Sequence, residues 1–134
     1  MEVIIAVTVI GVTLTAVYGL IISVINVNAR NIRNLQASDY AAEGLEVIRF
    51  MRDSNWLQNY SWDRGELALG GDASKTLYLL ETEVAPYWEF SSEPEKLDDV
   101  FSREIILNAT DNKNSIEVVS RVSWAERSGE KNFS

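Results

Sequence analysis

Twenty acidic side chains carry most of the ionisable chemistry of this chain, and two close pairs have the spacing of candidate acid–base groups. The pairs are Glu93 with Glu95 and Asp98 with Asp99, and paired carboxylates can transfer protons in enzymes. They stand in the proline-containing stretch 81–99, which holds seven acids and one lysine. Such a charge run is typical of a solvated surface. The chain has no histidine, so it lacks the usual neutral-pH base. We predict no catalytic residue and no enzyme activity.

Metal, cofactor and nucleic-acid chemistry are disfavoured on similar grounds. The chain contains neither cysteine nor histidine, which removes thiolate zinc sites and the commonest metal ligand. The Asp111-x-x-Asn114 stretch lacks the alternating ligand spacing of a calcium loop. Gly70 and Gly71 are not followed by the lysine of a phosphate-binding loop. The net charge of −8 would repel a phosphate backbone. We predict no metal site, no cofactor and no nucleic-acid partner.

An uncharged apolar run occupies residues 3–29, between Glu2 and the bases Arg30 and Arg33. As a helix its 27 residues would cover about 40 Å, more than the roughly 30 Å of bilayer hydrocarbon. A cleavable secretory signal fits less well because the basic start and the A-x-A-like cleavage site are both missing. We predict that residues 1–29 form a membrane-inserting helix.

Small residues recur every four positions within this run, at Gly11, Thr15, Gly19 and Ser23. Such a stripe lets the backbones of neighbouring helices approach closely, and its hydroxyls can bond across the contact. Glu2 opens the run and has two interpretations: an acid at the membrane interface, or the buried partner of a positive charge. The residues alone do not choose between them. The stripe predicts packing against other helices.

The helical pattern continues past the apolar run to about residue 55. Apolar side chains recur with a helical period along one face, at Ile32, Leu35, Ala41, Ala42, Leu45, Ile48 and Met51. Gly44 interrupts this face at a cost of about 1 kcal/mol relative to alanine. We therefore expect a sheet to approach the helix backbone at Gly44, with Ala41, Leu45 and Ile48 in the contact.

The second half of the chain has the pattern of strands. We predict strands at 76–83, 87–90, 100–108 and 115–124, with a hairpin turn at 111–114. In the last of them apolar residues alternate with polar ones and end at Trp124, so one face is buried. The fold class is α+β: a long N-terminal helix packed on a small antiparallel sheet. Residues 30–134 form this part, with the β region at about 76–125 and no closing strand before Ser134.

Four segments resemble type IV pilins and pseudopilins. Residues 2–7 (EVIIAV) are similar to the mature N-terminus of that family, in which an acid opens an apolar helix. Residues 41–49 (AAEGLEVIR) and 52–56 (RDSNW) resemble the helix of pilin-like minor subunits, and 122–124 (VSW) resembles their sheet. The resemblance covers residues 2–56 closely and the remainder only loosely.

The resemblance implies a structural subunit that polymerises through its N-terminal helix into a filament. It implies that Glu2 meets the terminal amine of a neighbouring subunit, and that Gly11 and Gly19 stand where family helices loosen. The implied partners are other pilin subunits, a prepilin peptidase and the pilus assembly machinery. The implied location is the inner membrane, crossed once with the head outside the cytoplasm, and then a cell-surface filament.

Two departures refine this interpretation. Only Met1 precedes Glu2, where family members have a leader and several further residues, so either the N-terminus is trimmed or the resemblance is partial. Because polar residues follow the last predicted strand, we also expect a shortened C-terminus. The cysteine-bounded loop of many major pilins is missing, which favours a minor or small-genome pilin. Two alternatives stay open: a pseudopilin of a type II secretion system, and a single-span anchored module whose tryptophan-bearing head binds a ligand.

Overall fold

The computed structural model describes residues 1–80, 88–91, 93–94, 96–97, 100–111, 115–126 and 129–134. One helix, α1, runs from Glu2–Leu57, and a 3₁₀ turn follows at Gly65–Leu67. The strands are β1 Ser74–Leu80, β2 Glu89–Ser91, β3 Lys96–Leu97, β4 Phe101–Ala109, β5 Ile116–Glu126 and β6 Gly129–Phe133. This is the predicted α+β class, which is confirmed. The helix ends two residues later than the predicted position of about 55.

The strands form one antiparallel sheet in the order β2-β1-β4-β5-β6, with β3 also paired to β4. The predicted hairpin is confirmed: β4 and β5 pair along their length, from Phe101 opposite Trp124 to Ala109 opposite Ile116. Residues 112–114 of its predicted turn lie outside the described residues. The same applies to 81–83 of the first predicted strand and to residue 87 of the second.

The prediction that no closing strand precedes Ser134 was wrong. β6 pairs with the second half of β5, from Val122 opposite Phe133 to Glu126 opposite Gly129. Its sequence, GEKNF, is mostly polar and lacks an apolar alternation. Polar and charged residues are common on edge strands because they discourage pairing with other chains. The β region therefore extends to residue 133.

The chain divides into two compact units, which we call the N-terminal unit, Met1–Leu35, and the head unit, Gln36–Ser134. The N-terminal unit is helical from Glu2 onward, and all its residues are exposed. Helix α1 is long and apolar enough to cross a membrane, by length and composition, and none of its most apolar stretch is buried.

The core of the head unit lies between the helix and one face of the sheet. β4 shows the strict alternation of a half-buried strand, with Phe101, Arg103, Ile105 and Leu107 buried and the residues between them half-buried. One apolar cluster joins the helix to the sheet and the 3₁₀ turn through Val47, Ile48, Leu67, Leu77, Leu79, Ile105 and Leu107. A second cluster contains Ala37, Ala41, Phe101, Val122 and Trp124.

The predicted apolar face of the helix needs a correction. The buried helix residues are Ala37, Ala41, Gly44, Val47 and Ile48. Ile32, Leu35 and Ala42 are exposed, and Leu45 and Met51 are partly buried. At 100° per residue, Ala42 lies about 160° around the helix from Gly44, so it cannot face the same sheet. Val47, which was not part of the predicted apolar face, is buried.

Candidate functional site

The small-residue stripe lies entirely on exposed helix surface. Gly11, Thr15, Gly19 and Ser23 are all exposed. Because successive members are four residues apart, each is turned by about 40° from the last, and together they cover an arc of about 120°. A Cβ atom built at Gly11 or Gly19 meets nothing within 4 Å. The arc is therefore a shallow, open surface on which another helix can approach closely.

The threonine hydroxyls of the apolar run are satisfied within the helix. Thr8 donates to the carbonyl of Ile4 at 2.7 Å. Thr15 donates to the carbonyls of Gly11 at 3.2 Å and Val12 at 2.8 Å. A hydroxyl with an internal acceptor can enter an apolar environment without an orphaned donor. Thr15 can therefore contribute to a helix contact by close packing, with its proton already bonded to its own helix.

Glu2 occupies the first turn of α1 and is exposed. The unpaired backbone amides of a helix N-terminus attract a carboxylate by about 0.3–1 kcal/mol. This position stabilises an acid in either of the two roles that the sequence allows. The functional argument for Glu2 rests on its place at the head of the apolar run.

Gly44 is the point of closest approach between helix and sheet. A Cβ atom at this position would lie 2.6 Å from Ser120 Oγ, 3.3 Å from Arg103 Cδ and 3.5 Å from Ile105 Cδ1. The first of these distances is shorter than any normal non-bonded contact of a carbon atom. A side chain at residue 44 would therefore have to displace Ser120, which explains a glycine in the middle of the helix face.

Arg103 is a buried charge that the sequence interpretation missed. Its side chain is only 2% exposed. Its Nη1 donates to Glu43 Oε2 at 2.8 Å and to the backbone carbonyl of Tyr40 at 3.1 Å. Its guanidinium carbon lies 5.9 Å from the centre of the Trp88 ring, within range of a cation–π attraction. Arg103 therefore links residues 40–43 of helix α1 to β4, which lies inside the sheet between β1 and β5.

The signal for Arg103 was its register in β4. It stands between Phe101 and Ile105, two positions that an alternating strand places on the inner face. Glu43 is half-buried as the partner of Arg103. Within the described residues, Arg103 Nε and Ser120 Oγ are buried without a hydrogen-bond partner.

Replacing Glu43 with alanine is expected to lower the free energy of unfolding by about 2 kcal/mol, because it leaves Arg103 buried with an uncompensated charge. Breaking a fully buried pair costs about 3–5 kcal/mol, and the 42% exposure of Glu43 reduces that figure. Denaturant unfolding of the full chain in detergent measures it. Adding Arg103→Met should recover part of the loss.

The matched control is Glu46→Ala. The pair of Glu46 with Arg49 joins two largely exposed side chains at 3.2 Å, and such pairs contribute at most about 1 kcal/mol. If Glu46→Ala lowered the free energy of unfolding as much as Glu43→Ala, this result would contradict the role given to Arg103.

Aromatic rings continue the contact on the other side of Arg103. Tyr40 of the helix packs against Phe101, with ring centres 5.5 Å apart, and Phe101 packs against Trp124 at 5.8 Å. Ala41 and Trp124 are buried in the same cluster, and Ile48 is buried in the other. The four predicted contact residues Ala41, Gly44, Ile48 and Trp124 thus lie in the helix–sheet core.

Leu45, the fifth predicted contact residue, lies at the side of the helix and lines a groove. We call this the β5 groove. Its larger part has a volume of about 600 Å³ and is lined by Leu45, Ile48, Arg49, Arg52, Trp62, Ser115, Ile116 and Val118. A second part of about 370 Å³ continues along β5 past Val119 and Ser120 to Phe133 and Ser134, with Ser38, Ala41, Ala42 and Leu45 on the helix side.

Among the described residues, no group of three or more acidic side chains is arranged to hold a metal ion. The search against family models found no match for this chain, and neither a curated protein nor a solved structure matches it.

Proposed function

We propose that this chain is a structural, non-enzymatic subunit of a type IV pilus-like filament, of the minor or small-genome kind, which assembles through its N-terminal helix. One observation carries the proposal. Every residue from Met1 to Gln36 is exposed, although residues 3–29 are uncharged and mostly apolar. Such a surface requires either lipid or the helices of other subunits around it.

The energetic argument concerns what covers that surface. Sixteen large apolar side chains between Val3 and Val27 are exposed. At about 1.5–3 kcal/mol for each side chain removed from water, their burial is worth tens of kcal/mol. A bilayer can hold the helix first, and a filament can then replace lipid contacts with helix contacts at no net loss of apolar burial. The small-residue stripe favours this exchange because it allows close helix packing.

The remaining support comes from the family resemblance and from the head unit. Residues 2–7, 41–49 and 52–56 resemble the helix of pilins and pilin-like minor subunits, and the second half of helix α1 packs against an antiparallel sheet at Gly44. In this proposal the subunit is located in the inner membrane before assembly, with a single membrane-spanning helix and its head outside the cytoplasm. A prepilin peptidase and the assembly machinery act on it before it joins other pilin subunits.

Cysteine cross-linking tests the proposal, since the natural chain contains no cysteine. The variant Gly11→Cys/Ser23→Cys places one thiol near each end of the stripe. If helices of many copies meet along the stripe, oxidation in intact cells should give a ladder of oligomers beyond the dimer on a non-reducing gel. Each single variant should stop at the dimer, because one thiol forms one bridge.

The matched control is Ile10→Cys/Val24→Cys, whose side chains lie on the opposite side of the helix from the middle of the stripe. It should give fewer and shorter oligomers. If the stripe variant stays monomeric in the membrane, the chain is an anchored binding module and the filament proposal is wrong. Genes for a prepilin peptidase and a pilus assembly ATPase beside this gene would separate a pilus from a type II secretion pseudopilus.

A further inference from the structure

The outer edge of β5, which faces away from β4, is paired with a described strand over only half of its length. β6 pairs with Val122 to Glu126 of β5, while the opposite edge of β5 is paired with β4 from Ile116 to Trp124. Among the described strands, none pairs with the outer edge of residues 116–121. In a strand, alternate residues direct their N–H and C=O groups to each edge. This half of β5 is therefore a template for one more strand.

The β5 groove runs alongside this edge. Its two parts share Leu45 of the helix and Val118 of the strand. A strand added to residues 116–121 would lie in it, with every second side chain facing apolar atoms of Leu45, Ile48 and Val118. Residues 116–121 would thus supply main-chain hydrogen bonds to the added strand, and the β5 groove would receive its side chains. Extended peptides are recognised in this way by strand addition.

Two arginines set the charge of the groove at its Ile116 end. Among the described residues that line its larger part, Arg49 and Arg52 are the charged ones, in a chain of net charge −8. They are ion-paired with Glu46 and Asp53, but all four side chains are more than half exposed, and exposed pairs of this kind are weak. An incoming carboxylate can therefore share or replace these partners.

We assign to the incoming strand the same direction as β6. β6 runs antiparallel to β5 on the same edge and reaches Phe133 opposite Val122. A strand that extended the line of β6 along the same edge of β5 would pair first with Arg121 and last with Ile116. Its C-terminal end would then lie beside Arg49 and Arg52, which line the Ile116 end of the groove.

We propose that the β5 groove binds an extended segment of another protein by strand addition. The segment runs antiparallel to residues 116–121, carries apolar side chains at alternate positions and ends in carboxylates that meet Arg49 and Arg52. This proposal does not depend on filament assembly.

The test uses the full chain in detergent micelles and the fluorescent peptide TVTVTVDE as the probe. The peptide should bind saturably, and hydrogen exchange should slow at alternate amides of residues 116–121, since these donate to the added strand. The same peptide N-methylated at alternate residues should not bind, because it cannot complete the ladder. Arg49→Glu/Arg52→Glu should weaken binding by about tenfold or more, since charge reversal also repels the probe.

Arg64→Glu is the matched control, because Arg64 is an exposed arginine stacked on Tyr60 at 3.6 Å and does not line the groove. It should bind the peptide as the natural chain does. Binding without protection of residues 116–121, or no binding, overturns the proposal. If those amides are protected without peptide, the occupant is different: protection lost on dilution identifies a second copy, and protection kept on dilution identifies a segment of the same chain.

Discussion

Cells that produce the Glu2→Gln variant of this protein are expected to assemble few or no filaments, while the variant subunit still accumulates in the membrane. A carboxylate moved from the interface into a bundle of apolar helices is costly unless a positive charge meets it. The resemblance implies that the terminal amine of a neighbouring subunit is that charge. Glutamine keeps the size and polarity of Glu2 but loses the charge, so the amine of the neighbour would be left without its partner.

The measurement compares sheared filament yield with the amount of subunit in the membrane. Glu2→Asp is the matched control: it keeps the charge on a shorter side chain and should retain more assembly than glutamine. Glu2→Val should be as defective as Glu2→Gln. Normal filament yield from Glu2→Gln would remove the assembly role from Glu2 and favour the interpretation of an acid at the membrane interface.

The fold class followed from periodicity because both patterns are strong. The alternation of β5 and the helical period through residue 48 each predicted an element that exists. Gly44 was predicted as a close approach because a glycine inside an apolar helix face weakens the helix unless a neighbouring element needs the space of its missing side chain. Its position under Ser120 supplies that neighbour.

The details of the helix face could not be read from side-chain size. Small residues are buried where the helix comes nearest to the sheet, at Ala37, Ala41 and Gly44. The larger Leu45 is displaced to the side, where it lines the β5 groove. Hydrophobicity alone ranks leucine as the better core residue, but the separation of helix and sheet decides which side chain fits.

The sequence interpretation missed two features of the sheet. Arg103 looks like a surface charge until its register places it on the inner face of β4, opposite Val122. β6 has too few apolar residues to be predicted as a strand, and only its ladder with β5 defines it. The β5 groove depends in turn on where β6 ends. β6 and the groove cannot be predicted from one strand considered alone, whereas the position of Arg103 between Phe101 and Ile105 is a signal within β4 itself.

Gly44→Leu is expected to lower the free energy of unfolding of the head unit by about 3 kcal/mol, the upper part of the usual range for overpacking. For a domain of about 100 residues this corresponds to a fall in Tm of roughly 12–24 °C. The reason is that even a Cβ atom at this position would lie 2.6 Å from Ser120 Oγ. Near-UV circular dichroism of the full chain in detergent, followed during heating, measures the change. Gly11→Leu is the control, since nothing lies within 4 Å of its Cβ position.

A milder pair of substitutions separates crowding from backbone effects. Gly44→Ala brings two opposing terms: about 1 kcal/mol of stabilisation from helix propensity and about 1–3 kcal/mol of destabilisation from crowding. Ser120→Ala removes the nearest atom, a buried hydroxyl without a described hydrogen-bond partner. In that background Gly44→Ala should become neutral or stabilising, with a coupling of about 1–2 kcal/mol between the two sites. If Gly44→Ala already stabilises the natural chain by the full propensity term, the helix and sheet are not in contact at Gly44, and the origin assigned to this glycine is wrong.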